Sequence, residues 1–230
     1  MDLKIKLAVL DEIYRIYEDF VGKLELVCRR YCAHCCTRNV TLTSLEAYKL
    51  AEYLLLHGKK DLFEIPEAES HKKRFQPLMT INSLAAMCMR GEEPPQEENE
   101  ASWGACPLLR NNECPVYVAR PFGCRCLVSK QNCGETGYAD TDPFVMTVNN
   151  VFLQYIEHVD TEGFSGNFTD MLLFMASENH RDQYGRGTLK SPDKLIPNHP
   201  MPVLMIPPEH RGRIHPILKA IQNINMSESH

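Results

Sequence analysis

Apolar residues recur at steps of three and four from Leu3 to Cys28. Leu3, Leu7, Leu10, Tyr14, Tyr17, Val21, Leu24 and Cys28 mark one face, while Lys4, Asp11, Glu18 and Lys23 fall between them. That period predicts an amphipathic helix. A second helix announces its own start. Thr43-Ser44-Leu45-Glu46 has the capping-box pattern, with Thr43 placed to cap and Glu46 to reach back, and Gly58 supplies a stop. A third helix is expected from about Leu78 to Arg90, closed by Gly91. A fourth runs from Phe144 to His158, and a short one follows with Thr169 as its cap and Met171, Leu172, Phe174 and Met175 inside. Residues 179–211, rich in Pro, His, Asn and Gly, read as an extended surface arm before a final helix from Pro216 to Ile224. The run from Glu92 to Glu100 carries two prolines and like charges, which predicts a solvated, mobile loop. The expected class is mainly α, with a cysteine-rich core, irregular loops and few or no strands. One domain over 1–230 is expected, with a cysteine-rich region at 28–133 and a helical part with the arm at 143–230.

Composition changes this picture at one point. The 230 residues are 43% hydrophobic and 24% charged, with a net charge of -5. That is ordinary globular chemistry, and it disfavours a nucleic-acid partner, because phosphate binding leaves a basic excess somewhere. No apolar stretch approaches the roughly 18 residues of a membrane span. The opening residues do not read as a signal peptide, since Asp11 and Glu12 interrupt the apolar run. These features predict a cytoplasmic protein without a membrane partner. Ten cysteines in a reducing compartment point to metal or redox chemistry rather than to a disulfide frame.

Eight of the ten fall into two blocks, with a ninth close after. The first is Cys28-Arg-Arg-Tyr-Cys32-Ala-His-Cys35-Cys36. The second holds Cys106, Cys114, Cys124 and Cys126, and Cys133 lies just beyond. On a straight helix Cys28 and Cys36 would lie about 12 Å apart along the axis, whereas zinc gathers its sulfurs at about 2.3 Å. Either the helix breaks near Cys32, or the site takes part of its ligands from the second block. The adjacent pair Cys35-Cys36 points in two directions, which suits a polynuclear cluster better than one ion. The candidate metal ligands are therefore Cys28, Cys32, Cys35, Cys36, Cys106, Cys114 and Cys124, and an iron–sulfur cluster is favoured over zinc. Cys126 and Cys133 are further ligands or a second site. Cys88, in the run Leu84-Ala-Ala-Met-Cys-Met89, is expected in the core. Arg120 and Arg125 bring positive charge beside thiolates and are candidate cofactor-binding residues. The spacing Cys28-x3-Cys32-x2-Cys35 also occurs in radical S-adenosylmethionine enzymes, but here it follows a long helix instead of the first strand of a barrel.

With both blocks laid out, the chain resembles the YkgJ-like family, described as a zinc- or iron-chelating domain with a CxxCxxCC motif. The resemblance is carried by Cys32, Cys35 and Cys36, by Cys106-Pro107-x-Leu109, and by Cys114-Pro-Val-Tyr117-x-x-Arg120-Pro121-x-x-Cys124-Arg125. It spans roughly residues 28 to 126. It departs at the first motif cysteine, which falls on Arg29, with Cys28 as its neighbour. A weaker similarity extends to the flagellin lysine methylases.

The resemblance implies metal binding and names no reaction. The leading expectation is a centre with a structural or redox role. The alternatives are a cluster-dependent enzyme, such as an S-adenosylmethionine-dependent methyltransferase, and a metal carrier or sensor. An enzyme would line the site with groups such as His34, Arg125, Tyr117 or Asp140. A redox partner is implied without being identified.

Overall fold

A computed structural model describes residues 1–190 and 192–226. Residue 191 of the expected arm and residues 227–230 of the expected C-terminal part lie outside the described residues.

The first helix, α1 (Leu3–Val21), opens on Asp2, whose side chain accepts from Lys4 N. It ends at Val21 with Gly22 as its cap, so the helix expected to reach Cys28 stops about two turns short. The apolar residues beyond it continue the helical spacing by coincidence; the main chain there bonds elsewhere. Strand β1 (Thr41–Thr43) leads into α2 (Ser44–Leu56), where the capping box forms as the sequence implies, with both reciprocal hydrogen bonds present. Helix α3 (Glu64–Ala68) is short, and α4 (Ile81–Arg90) is capped by Thr80 and closed by Gly91. Helices α5 (Phe122–Arg125) and α6 (Cys133–Thr136) are single turns in the second cysteine region. Helix α7 (Pro143–Val159) has Asp142 as its cap. Strand β2 (Phe164–Asn167) runs directly into α8 (Phe168–Ala176), whose cap is Asn167 where the sequence suggested Thr169.

The expected arm folds in part. It contains α9 (Glu178–Gly185), capped by Ser177, and strand β3 (Ile196–Pro197). The last helix, α10 (Arg211–Gln222), begins five residues before Pro216 and carries that proline inside it. The three short strands form one antiparallel sheet in the order β1-β2-β3, with Leu42 opposite Gly166 and Ser165 opposite Ile196. The fold is mainly helical.

Helices α1, α2, α7 and α8 surround a contiguous apolar core. Leu10, Ile13, Tyr17, Leu45, Leu50, Leu54, Phe152, Ile156, Met171 and Leu172 are all essentially solvent-free. One member comes from the cysteine region. Phe122 stacks on Phe152 at 5.6 Å between centroids and meets Tyr17 edge-on at 4.7 Å. Burying a phenyl ring is worth about 1.5–3 kcal/mol, so Phe122 anchors the turn that carries Cys124. Two details depart from the sequence reading. Cys88 is exposed rather than core. The acidic run is exposed throughout, yet tied down: Glu97 accepts from Leu78 N, and Glu98 pairs with Lys73. Among the described residues, no helix is long and apolar enough to cross a membrane.

Candidate metal centre

After α1 the chain abandons regular structure, and individual hydrogen bonds set its path. Val27 N donates to Ser129 O at 3.1 Å, and Ser129 N donates back to Cys28 Sγ at 3.2 Å, which pins Cys28 to the far end of the second block. Tyr31 takes a positive φ of 73°. Two tight turns follow, Cys32 N to Arg29 O and Cys36 N to Ala33 O, both 3.0 Å. They place Cys32, Cys35 and Cys36 without any helix, so the helical-wheel geometry for these cysteines does not apply.

The second block is joined to the first at its own beginning. Cys106 N donates to Cys36 O at 2.8 Å, beside a bridge between Thr37 and Ala105. Asn111 and Asn112, with φ of 48° and 62°, then turn the chain so that Arg110 and Glu113 pair and Cys114 returns toward Cys106. This is the asparagine preference of tight turns that need positive φ at both central positions. Cys124 sits in α5, whose first residue donates its N–H to Glu46 Oε1 at 2.7 Å. The same carboxylate accepts from Tyr14 Oη at 2.7 Å and from Thr43 N at 3.0 Å. A side chain read from sequence as half of a helix cap thus also joins α1 and the second cysteine block. Gly123 lies so close to β1 that a Cβ there would be 2.6 Å from Thr41 O, which no side chain permits.

Both blocks face one cavity of about 240 Å³. Cys28, Cys32, Cys35 and Cys36 line it from the first block, and Cys106, Cys114 and Cys124 from the second. Arg120, Arg125 and Tyr117 also reach its wall, and Leu26, Leu108, Val116 and Phe168 make it partly apolar. Cys126, Cys133, His34 and Asp140 do not line it. Among the described residues, no three His, Cys, Asp or Glu side chains converge on a single point suited to one metal ion. The donors surround a space.

The electrostatics follow from burial. Burial pushes the Cys106 thiol up to about 11 and raises Cys124 well above the usual thiol range. Cys114 and Cys28 move the same way for the same reason. Cys35 is held protonated first by a hydrogen bond with the Cys36 sulfur and then by burial. The opposing influence on Cys35, Cys114 and Cys124 includes the charge of Arg120. The two arginines are used differently. Arg125 stacks over Tyr14 at 4.4 Å, donates to Arg120 O and Val118 O, and pairs with Glu18. Its guanidinium is committed to bracing the loop. Arg120 stacks over Tyr117 at 3.8 Å, and its buried Nε–H has no hydrogen-bond partner among the described residues. An orphaned charged donor in a wall of thiols is costly unless an anion meets it.

Searches of protein-family models, curated proteins and solved structures return no match.

Some of the site was hidden from sequence reasoning. The pairing of Val27 and Cys28 with Ser129 left no local signal, because it joins segments a hundred residues apart. The return turn at Asn111-Asn112 did leave one, in the adjacent asparagines.

Proposed function

We propose that this protein holds an iron–sulfur cluster between its two cysteine blocks, in a structural or redox role. The observation that carries the reading is the convergence of both blocks on one cavity. Seven thiols from sequence segments seventy residues apart surround a space larger than one ion, and Arg120 adds an unpartnered N–H to its wall. Sulfur donors spread around a cavity suit a polynuclear cluster better than zinc, which draws four ligands to one point. Soft thiolates and a fixed cation are the donor set and counter-charge that such a cluster requires. The residues fit the group.

When bound, an iron–sulfur cluster gives and takes single electrons. The chain's own residues supply the rest. Cys36 and Cys106 are held together by their main chains, so the two blocks present thiols at fixed relative positions. Arg120 offsets the negative charge of a thiolate-ligated group, and Arg125 keeps the 118–125 loop in place. Leu26, Leu108 and Val116 limit water at the cavity wall. The same reading places the chain in a reducing compartment such as the cytoplasm, with a redox partner as the matching half of the reaction.

The test is anaerobic purification with iron, acid-labile sulfide and the visible spectrum measured together. Iron and sulfide in comparable amounts, lost in a Cys106→Ser, Cys124→Ser double variant, support the proposal. A colourless protein with stoichiometric zinc replaces the cluster with a structural zinc site. Free thiols without metal after reconstitution overturn both.

A further inference from the structure

Cys133, Cys126 and His34 are left unused by the proposed cluster, and Cys28 faces two ways. Next to the main cavity lies an open pocket of about 620 Å³ whose wall includes Cys28, Cys32, His34 and Cys133. A third cavity of about 300 Å³ meets the same four residues from the other side. Cys28, Cys32 and Cys133 are all half-buried free thiols. They reach this place from two stretches of chain about a hundred residues apart, Cys28 and Cys32 from the first block and Cys133 from beyond the second, and specific bonds bring them there. Ser129 holds the Cys28 sulfur through its N–H, and the Ser129 hydroxyl accepts from Gln131 N and Asp140 N, shaping the turn that leads to Cys133. His34 lies so tightly against the residue after Cys133 that a Cβ on Gly134 would stand 2.2 Å from Nε2. The imidazole is thereby seated on the main chain of the Cys133 turn.

We infer that Cys28, Cys32, Cys133 and His34 form a second metal site beside the main cavity, with whose wall it shares Cys28 and Cys32, for a single thiophilic divalent cation such as zinc. Three sulfurs and one imidazole nitrogen are a known zinc donor set. The four donors ring the pocket without converging on one point, so binding requires their side chains to rotate inward. Cys28 belongs to this site by its anchoring on Ser129, which accounts for its displacement by one residue from the motif position at Arg29. Cys28 and Cys32 border both spaces and are the thiols through which the two sites touch.

The site does not depend on the cluster, and the experiment keeps the two apart. Cobalt(II) is added without oxygen to the full chain carrying Cys106→Ser and Cys124→Ser, which disables the main cavity. One equivalent should bind, with the thiolate charge-transfer band and the visible absorption of tetrahedral cobalt, and zinc should displace it. Adding Cys133→Ser or His34→Ala should weaken that binding at least about tenfold, the lower end of what even an outer partner of a ligand contributes. Cobalt binding that is unaffected by both substitutions overturns the site, as does a folded double variant that binds none. Where the double variant does not fold, the wild-type chain is reconstituted with iron and sulfide, loaded with zinc and compared with Cys133→Ser. Loss of zinc with iron and sulfide unchanged supports the second site; unchanged zinc overturns it. Cysteine-133-dependent cobalt in a chain that never takes up iron and sulfide would leave this site standing and remove only the cluster.

Discussion

Glu46 is the residue whose removal should reveal how far the proposed metal centre depends on the helical core. Its carboxylate is 4% exposed and accepts from Thr43 N, Tyr14 Oη and Phe122 N. In Glu46→Gln the amide keeps its oxygen but turns an N–H₂ toward one of these donors. One buried donor is left unsatisfied, at about 1–3 kcal/mol. In Glu46→Ala all three lose their acceptor, and partial rearrangement leaves an expected loss of about 3–5 kcal/mol. Against a typical total of about 5–15 kcal/mol, that is a large fraction. Urea unfolding followed by circular dichroism gives the number, with an unchanged slope as evidence that the folded state is compared with the same unfolded state. Because Phe122 N opens the turn that carries Cys124, the Gln variant should also lose metal more readily to a chelator while the helical signal persists. A Glu46→Ala chain within about 1 kcal/mol of wild type would refute the reasoning. If the Ala variant does not fold, the Gln variant paired with Tyr14→Phe in a double-mutant cycle still isolates the coupling.

Asp160 is fully buried, and burial pushes its carboxyl up to about 6 from an ordinary value of 3.8. The folded state therefore holds a proton that the unfolded state releases, so this stabilisation is present below about pH 4 and is lost as pH rises through about 6. By linkage that is worth about 3 kcal/mol, and Asp160→Asn should flatten that part of the stability profile between pH 4 and 6; an unchanged profile would be the contrary result. Gly123→Ala puts a Cβ 2.6 Å from Thr41 O and should cost about 1–3 kcal/mol through overpacking, with metal retention falling in parallel. Removing the charge in Arg120→Gln should lower the reduction potential of the bound cluster by several tens of millivolts, on the scale where about 59 mV equals 1.4 kcal/mol for one electron. Redox titration followed in the visible spectrum decides this. Metal-free protein should lose amide protection over residues 22–40 and 104–132 while α1, α2, α7 and α8 keep theirs, as read by hydrogen exchange.

Local codes carried most of what the sequence disclosed. The capping box at Thr43–Glu46 and the Gly91 stop needed only neighbours three or four residues away, and both helices begin or end where those residues place them. The run from Phe144 to His158 gave a helix for the same reason. The over-extension of α1 shows the limit of periodicity. Leu24 and Cys28 keep the helical spacing, but Ser129 competes for the main chain at Val27 and wins, and no local pattern reports a partner a hundred residues away. The arm at 179–211 was misread because Pro, His and Asn signal breaks in the chain, while Ser177 supplies a cap that starts α9 regardless. Strand β1 was concealed inside the cap sequence. For the centre, the cysteine blocks and their meeting in one place were legible. The division of labour between Arg120 and Arg125 was not, since it depends on Tyr14, Glu18 and two carbonyls that only the fold brings near.

The cysteines sit where the chain has least structure of its own, and this has a physical consequence. Segments 22–40 and 104–132 contain no ladder and only single helical turns. They are fastened to the core at Phe122, at Glu46, and at the start of α8, where Phe168 N donates to Val40 O and Asn167 Nδ2 to Arg38 O. Between those fastenings, the inward-facing groups are thiols, of which burial raises Cys28, Cys106, Cys114 and Cys124 above the usual thiol range, with Arg120 among them. Such a cavity gains little by closing on itself, because neutral thiols bond weakly and the Arg120 Nε–H meets no acceptor among the described residues. The proposed metal would change the sign of each of these terms at once: coordination would deprotonate the thiols that ligate it, the new negative charge would meet Arg120, and the two loops would become one bonded unit. On the proposed function, the burial that raises Cys28, Cys106, Cys114 and Cys124 therefore favours a soft, multivalent cation as occupant, and the order of these loops is expected to follow that occupant.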